Sequence, residues 1–266
     1  MSIITLITDF GLDDEYVGLM KGVILSIDPA ATIVDITHRT EPRDIVQAAY
    51  TLNASYRYFP DGSVHLIVVD PGVGGKRAIV AAKMRKHVFI APDNGVLTLL
   101  FDGGEVNECI RVDNPKYFLK TVSRTFHGRD IFAPVAAHIA RGVPLNHIGT
   151  PAASTGLVRL AGLETCRSAK GEITGKIVSI DHFGNLITNI TALELENFCA
   201  GKPGRKPQVR IGNHVISGLS NTYESVESLK PLALIGSRGY LEIAVNAGSA
   251  NKELNVHKGD GVTVVI

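Results

Sequence analysis

The sequence contains little cysteine. Only 3 of its 266 residues are cysteines, at positions 109, 166 and 199. An odd number at such wide spacing predicts neither a disulfide framework nor a zinc site. Unpaired cysteines are typical of a reducing compartment, so we expect a cytoplasmic protein.

The chain also lacks a strong net charge and a long apolar segment. Its 27 basic and 26 acidic residues give a formal net charge of +1, which argues against a nucleic-acid partner bound over a broad basic face. No apolar run approaches the roughly 18 residues of a membrane-spanning helix. The first residues have no basic segment before Asp9. We therefore expect no signal peptide, no membrane partner and no nucleic-acid partner.

The composition is sufficient to form a hydrophobic core. Hydrophobic residues make up 45% and charged residues 20% of the sequence, which is typical of globular proteins. Over residues 1–160, short apolar runs alternate with helical periodicity. This alternation predicts a three-layer α/β domain, in which helices cover both faces of a mainly parallel sheet. The expected strands and helices are Ile3–Thr8, Tyr16–Ile27, Thr32–Ile36, Asp44–Tyr58, Val64–Val69, His87–Ala91, Gly95–Phe101 and Ile131–Arg141.

The second part of the chain has a different pattern. After a connection without clear period over residues 157–170, short apolar runs are separated by Gly, Asn, Ser and Pro. Over residues 171–266 this pattern predicts a small antiparallel β-barrel domain. The expected elements are the strands Ile173–Ile180, Leu186–Ile190, Gln208–Ile211, Leu232–Ile235, Tyr240–Val245 and Val262–Ile266, and one helix, Ala192–Phe198, with Thr191 as its cap.

Acidic residues follow the expected strands of the first domain. Asp9, Asp70 and Asp93 each stand just after an apolar run, and ligands of such sheets bind beyond the carboxyl ends of the strands. Asp13 and Asp14 lie close behind Asp9. Three interpretations of this cluster stay open: a divalent-cation site, a clamp on a ribose diol, or capping of the next helix by Asp13 or Asp14.

Two further segments of the first domain could carry chemistry. The glycine-rich turn from Asp70 to Arg77 lets backbone amides approach a ligand, and it could bring its charged ends together as an ion pair. It is not a P-loop, because no Ser or Thr follows its lysine. His127 stands just before an expected helix, where it is either structural or an acid, base or water-positioning group. We expect Asp130 to cap that helix.

The β domain contains two polar turns. Asp181 and Asn185 lie in the first, which is compatible with a simple Asx-turn. Ser237 and Arg238 lie in the second, where the arginine could hold a carboxylate through two hydrogen bonds. Neither turn by itself indicates a particular function.

Six segments in order resemble one protein family. Along the chain they are TDFGLDDEYVG, VDPGVGGKR, IAPDNGVLT, FHGRDIFAP, IDHFGNLITNI and GSRGYLEIAVN. They resemble the S-adenosylmethionine hydroxide adenosyltransferases, which are S-adenosylmethionine hydrolases related to the bacterial fluorinase and chlorinase. The segments span Asp9 to Asn246, nearly the whole chain.

This resemblance implies an N-terminal α/β domain, a C-terminal β-barrel domain and a homotrimer. The ligand would sit between one subunit's N-terminal domain and its neighbour's C-terminal domain. Water or hydroxide would attack the ribose C5′ of the small-molecule substrate, S-adenosylmethionine, giving adenosine and L-methionine without a metal or other cofactor. The residues implied to position and activate that water are Asp70, Arg77 and His127.

The resemblance also implies the contacts to the substrate. Asp9 resembles the carboxylate that binds the ribose diol. The residues that resemble adenine contacts are Asn185, Tyr223 and Val245. The residues that resemble holders of the methionine amino-acid group are Asp181, Ser237 and Arg238, with Asp14 and Glu242 as further candidates for this pocket.

The related halogenases differ from this chain at the reaction centre. They carry an aromatic hydroxyl residue at the position of Asp70 and a halide-holding serine at the position of Gly128. They also have an insertion before the IAP segment. A fixed carboxylate beside a halide site would repel the halide. The sequence therefore favours water over halide as the nucleophile.

Other functions stay open beside this one. One is a halogenase of the same family. Another is a cation-dependent nucleoside hydrolase, which also begins with a strand running into an aspartate-rich turn but would need Ca²⁺ and release a free base. A third is a binding protein for adenosine or S-adenosylmethionine without catalysis. Such a protein would not need Asp70, Arg77 and His127 together, so their joint presence favours an enzyme.

Overall fold

The computed structural model describes residues 2–104, 106–168, 171–200 and 204–266. The chain divides into two compact units, residues 1–160 and 161–266. Within the described residues, none of the helices has the length and apolar character needed to cross a membrane.

The first unit is built on a mixed sheet. Its strands in the described ranges follow the spatial order β2-β1-β3-β5-β4-β6-β7. Strands β2, β1, β3 and β5 run parallel, whereas β4, β6 and β7 are paired antiparallel. The bounds are β1 (Ile3–Thr8), β2 (Thr32–Thr37), β3 (Val64–Val68), β4 (Ile79–Met84), β5 (His87–Pro92), β6 (Val106–Val112) and β7 (Gly149–Pro151).

Helices cover both faces of this sheet, which confirms the three-layer α/β prediction. Successive residues of β3 point to opposite faces: Leu66 packs in one apolar cluster with Met20, and Ile67 packs in another with Leu52. The helices on the first face are α1 (Tyr16–Ile27) and α4 (Ala133–Ala140), and those on the second are α2 (Ile45–Ser55) and α3 (Thr98–Asp102). A short helix, α5 (Leu145–Ile148), precedes β7.

The second unit is an antiparallel, nearly closed β-barrel, as predicted. The spatial order of its described strands is β12-β11-β15-β9-β10-β14-β13, and β8 pairs with β9. Inward-facing side chains such as Ile177, Leu241 and Val262 form its core. The elements are β8 (Cys166–Arg167), β9 (Ile173–Ile180), β10 (Leu186–Thr191), α6 (Ala192–Ala200), β11 (Gln208–Ile211), β12 (His214–Ser217), β13 (Pro231–Ile235), β14 (Tyr240–Val245), α7 (Ala250–Glu253) and β15 (Gly261–Val265).

The predicted cap of α6 is confirmed. The backbone N–H of Glu194 donates to Thr191 Oγ1 at 3.2 Å, and the backbone N–H of Thr191 donates to Glu194 Oε2 at 2.8 Å. This reciprocal pair is a capping box.

Two other capping predictions are wrong. Helix α1 begins after Glu15, whose side chain makes no capping bond, and Asp13 and Asp14 are exposed in the preceding turn. Asp130 lies inside a π-helical turn, Gly128–Phe132, instead of before a helix. It is fully buried, where it accepts a hydrogen bond from the Ser123 backbone N–H at 2.7 Å. A buried carboxylate needs such partners, so Asp130 braces the loop instead of capping.

Candidate active site

Asp9 and Asp70 follow the ends of two neighbouring strands of the sheet. Thr8 at the end of β1 pairs with Val68 at the end of the parallel strand β3. Asp9 is the next residue of the first strand and Asp70 follows Val68 by two. The parallel register therefore brings the two carboxylates to the same edge of the sheet, where ligands of such folds bind.

The segment after β2 holds the Asp9 carboxylate and the neighbouring Thr8 side chain. The Arg43 N–H donates to Asp9 Oδ2 at 2.8 Å. Arg43 adopts a φ of 67°, which few residues other than glycine adopt. A hydrogen bond of 2.8 Å also joins Thr8 Oγ1 to His38 Nδ1. The orientation of the Asp9 carboxylate is thus fixed from outside its own strand.

The two ends of the glycine-rich turn form an ion pair, an arrangement that their spacing allows. Arg77 Nε donates to both oxygens of Asp70, at 3.0 Å and 2.9 Å, and Nη2 donates to Oδ2 at 2.5 Å. The side chains are only 4% and 12% exposed for Asp70 and Arg77. Such a forked contact fixes both groups more firmly than a single bond would.

His127 joins this pair from a distant part of the chain. Arg77 Nη2 lies 2.9 Å from His127 Nδ1, although the two residues are 50 positions apart. Gly74 makes the approach possible: its φ is +74°, and a Cβ there would overlap the backbone oxygen of Arg124. The glycine-rich turn therefore packs directly on the segment that leads to His127, and the structure brings the predicted set of three together.

The surroundings of His127 favour the neutral form of its imidazole. Burial lowers its pKa from the usual 6.5, and the charge of Arg77 lowers it further, against smaller opposing effects of Asp70, Asp130 and a hydrogen bond to the Ser123 backbone. A guanidinium only donates hydrogen bonds. The contact with Arg77 therefore assigns the acceptor role to Nδ1 and the proton of the neutral ring to Nε2.

A small cavity adjoins these groups. Its volume is about 60 Å³, which is room for one or two water molecules. Phe126 closes one side, in edge contact with Phe10 at a centroid distance of 5.8 Å. The lining residues are Asp9, Phe10, Val68, Asp70, Val73, Thr125, Phe126, His127 and Gly128. The cavity thus combines two carboxylates and an imidazole with an aromatic wall.

Asp14 does not line this cavity. It is exposed in the turn before α1. Within the part of the chain that the structure describes, no group of three or more His, Cys, Asp or Glu side chains is arranged to hold a metal ion. The aspartates at positions 9, 13 and 14 therefore do not converge on one point as ligands of a cation would.

In the second unit, Asp181 organises its own turn. Its Oδ1 accepts hydrogen bonds from the backbone N–H groups of Phe183 and Asn185, both at 2.9 Å, and its Oδ2 accepts one from Asn185 Nδ2 at 3.1 Å. This is the Asx-turn that the sequence allowed. Its effect is to fix the side-chain amide of Asn185.

A larger cavity opens beside Asn185. Its volume is about 420 Å³, within the range of pockets for small organic ligands. The lining residues are Phe183, Asn185, Tyr223, Val245, Ala247 and Gly248. All three residues that the resemblance assigned to adenine are among them. Phe183 was not assigned, although it is an aromatic side chain left 74% exposed beside the pocket.

Ser237 and Arg238 lie at the exposed tip between β13 and β14. Hydrogen bonds from Gly236 N to Tyr240 O at 3.0 Å and from Gly239 N to Gly236 O at 2.9 Å close this tight turn. Gly239 has a φ of +78°, which favours glycine. Both polar side chains are exposed to solvent in this turn.

Glu242 lies in β14, the strand that follows this turn, and its side chain is buried. Its Oε1 accepts a hydrogen bond from Tyr223 Oη at 2.7 Å. Burial raises the pKa of Glu242, and Asp181 acts in the same direction, while Tyr223 and Arg238 oppose the shift. The hydrogen bond to Glu242 and the burial of the phenol raise the pKa of Tyr223 to about 12.

Comparisons with known proteins cover both units. The family model described as SAM hydroxide adenosyltransferase N-terminal domain matches residues 4–149, and that of the C-terminal domain matches residues 175–263. The chain is 36% identical over 260 residues to a protein of Thermus thermophilus named (R)-S-adenosyl-L-methionine hydrolase, with 95% of each chain covered. It is 32% identical over 294 residues to a fluorinase of an Actinoplanes species, covering 98% of this chain and 97% of that protein.

A solved structure extends the likeness to the fold. The crystal structure of a conserved protein from Thermotoga maritima superimposes with a TM-score of 0.90 at 36% sequence identity, and 100% of each chain is covered. The order of strands and helices described above is therefore that of an existing protein fold over its full length.

Proposed function

Since the chain belongs to the SAM hydroxide adenosyltransferase family, we propose that it hydrolyses S-adenosyl-L-methionine to adenosine and L-methionine. The observation that carries this proposal is the hydrogen-bonded set of Asp70, Arg77 and His127 at a water-sized cavity that Asp9 also lines. The relative from Thermus thermophilus, named as a hydrolase of this compound, supports the same reaction.

The reaction is a displacement at the ribose C5′. A water oxygen forms the new bond to C5′ while the bond from C5′ to sulfur breaks. The electron pair of that bond goes to the sulfonium, which leaves as the neutral thioether of methionine and needs no proton from an acid. One proton of the water passes to solvent. The protein has to hold water, C5′ and sulfur in line and to keep bulk water away.

Each residue of the set has a distinct part in this proposal. Asp70 accepts a hydrogen bond from the attacking water and so directs an oxygen lone pair at C5′. Arg77 fixes the Asp70 carboxylate through its forked contact. His127, neutral and with its proton on Nε2, completes the wall of the water site. Positioning of this kind can account for a large share of a rate enhancement.

Two features favour water over halide as the nucleophile. The Asp70 carboxylate lines the small cavity and repels an anion there. Gly128 also lines it, and a Cβ at this position would lie 3.2 Å from both Met20 Sδ and Phe126 Cε2. With glycine at this position the cavity lacks the hydroxyl of the halide-holding serine that the related halogenases carry there. The fluorinase alternative is therefore not the one we favour.

The substrate-binding residues follow the same proposal. Asp9 holds the ribose diol, and the second unit's larger cavity takes adenine against Asn185, Tyr223 and Val245. Ser237, Arg238 and Asp181 hold the amino-acid end. We further propose a cytoplasmic homotrimer, in which residues of a neighbouring subunit complete each site, and a reaction that requires no metal or other cofactor. The three unpaired cysteines agree with a reducing compartment.

Product analysis tests this function. The purified protein is incubated with S-adenosylmethionine in chloride buffer, with and without EDTA, and the products are separated by chromatography with mass detection. We expect adenosine and methionine in equal amounts and no effect of EDTA.

The other outcomes separate the alternatives. A 5′-chloro-5′-deoxyadenosine product would assign halogenase activity. Free adenine from added adenosine, lost on EDTA treatment, would indicate a nucleoside hydrolase. Binding of S-adenosylmethionine with no product at all would indicate a binding protein without catalysis.

A further inference from the structure

Glu242 is a buried acid on the outer side of the barrel. It is 7% exposed and lies in β14 between Leu241 and Ile243, whose side chains belong to the barrel core. Because side chains alternate along a strand, Glu242 faces away from that core. Within the described parts of the chain it has no ion-pair partner. A buried carboxylate without a cation is costly, which points to a role for its charge.

The two oxygens of Glu242 contact different parts of the proposed substrate site. Oε1 accepts the 2.7 Å hydrogen bond from Tyr223, whose ring lines the larger cavity. Oε2 packs against Gly236, where an added Cβ would overlap it. Gly236 is the residue before Ser237 and Arg238. One carboxylate thus braces the wall of the adenine pocket and the turn for the amino-acid end.

The donor in the Tyr223 contact is fixed. With a pKa of about 12, the phenol stays protonated at any physiological pH, so Tyr223 donates and Glu242 accepts. Such a bond is roughly twice as strong to an ionised carboxylate as to a neutral acid. The charged groups that act on Glu242 are Asp181, which disfavours its ionised form, and Arg238, which favours it.

We propose that Glu242 is a positioning residue, whose ionised carboxylate holds the Tyr223 ring and the Ser237–Arg238 turn in the conformation that binds substrate. The proposal rests on the proposed function, because it takes the larger cavity as the adenosine pocket. Tyr223 is 44% exposed, so the contact with Glu242 is a main restraint on its ring. Protonation of Glu242 weakens this hydrogen bond, loosens the ring and lowers the affinity for substrate.

Adenosine affinity as a function of pH tests this role. Calorimetry with adenosine is carried out from pH 7.5 down to pH 5 on the wild type, Glu242→Gln, Tyr223→Phe and the double variant. Because burial raises the pKa of Glu242 above its usual range, we expect wild-type affinity to fall as the pH is lowered, by at most about fivefold to tenfold once this carboxyl is protonated. Each single variant should show that loss already at pH 7.5, without further change at lower pH. The double variant should lose no more than either single one, because both changes remove the same bond.

A neighbouring acid provides the control. Glu224 is exposed and lies next to Tyr223, so Glu224→Gln should bind adenosine like the wild type at every pH. In turnover of S-adenosylmethionine, Glu242→Gln should raise KM and leave kcat within about twofold. Melting temperatures identify any variant that fails to fold, and Tyr223→Phe then serves as the second test of the same bond.

Three results would overturn the inference: wild-type affinity in Glu242→Gln, an unchanged pH dependence in that variant, or additive losses in the double variant. The proposed function is judged separately, by formation of adenosine from S-adenosylmethionine in the wild type. If the wild type hydrolyses S-adenosylmethionine and Glu242→Gln binds adenosine as the wild type does, only the positioning role is refuted. Absence of both turnover and adenosine binding in the wild type would refute both.

Discussion

Replacement of Asp70 by asparagine should lower kcat for S-adenosylmethionine hydrolysis by about 10²- to 10⁴-fold. Asparagine keeps the shape of the side chain but removes the charge that Arg77 holds through its forked contact. The water then loses its strongest acceptor, and its lone pair is no longer directed at C5′. KM should stay within about threefold, because Asp70 is assigned to the nucleophile and not to the substrate.

An exposed ion pair provides the control for this experiment. Asp61 pairs with Lys86 at 2.6 Å, and their side chains are 65% and 73% exposed. Asp61→Asn makes the same chemical change on the same unit, and it should leave kcat and KM unchanged. A kcat of Asp70→Asn close to that of the wild type would remove Asp70 from the mechanism. A rise in KM alone would assign Asp70 to substrate binding.

Lowering the pH from 7 to 5 should reduce the free energy of unfolding by about 2 kcal/mol through His65 alone. His65 is fully buried in the first unit. Burial, with a smaller effect of His87, lowers its pKa from 6.5 to about 3. Between these values the unfolded chain binds a proton that the folded chain does not. This contribution to stability is therefore present at neutral pH and is lost as the pH falls below 6.5.

The variant His65→Asn tests this origin of acid sensitivity. Asparagine cannot take up the proton but still offers a partner to Thr5 Oγ1, which lies 2.8 Å from His65 Nδ1. Loss of the ring, stacked on Phe89 at 5.0 Å, should lower stability at pH 7. The measurement is urea unfolding at pH 7 and pH 5, and the difference between them should shrink by about 2 kcal/mol.

His147→Asn is the matched control, because His147 is exposed on the same unit. The free energy of unfolding of this variant should depend on pH as that of the wild type does. If His65→Asn retained the full wild-type dependence, the acid sensitivity would have to arise from other groups.

Local patterns predicted most of the architecture. The continuous apolar runs of β1 and β3 and the helical spacing of α1 indicate their elements directly, because each pattern is complete within a few residues. Strands β4 and β6 were not predicted, because neither has such a complete local pattern. Two alanines and a lysine weaken the apolar signal of β4, and β6 alternates with charged residues. These two strands are stabilised by pairing with each other, which is a contact between residues distant in the sequence, and their own apolar pattern is too weak to indicate it.

The site was less predictable from residue types alone. An ion pair across the turn from Asp70 to Arg77 is compatible with their spacing, but its contact with His127 depends on how Gly74 packs against Arg124. Only the resemblance to a family placed His127 with that pair. Glu242 was a candidate for the amino-acid pocket, yet nothing in its strand indicates the bond to Tyr223. Such partners are set by tertiary packing, which residue spacing does not encode.

Hydrolysis in H₂¹⁸O tests the central claim most directly. The purified protein is incubated with S-adenosylmethionine in labelled water, and adenosine and methionine are analysed by mass spectrometry. Attack of water on C5′ predicts one ¹⁸O atom in adenosine, located in its 5′-hydroxyl group, and none in methionine. Adenosine without label, label in the methionine, or a product with chlorine at C5′ would contradict the assignment of water as the nucleophile at this carbon.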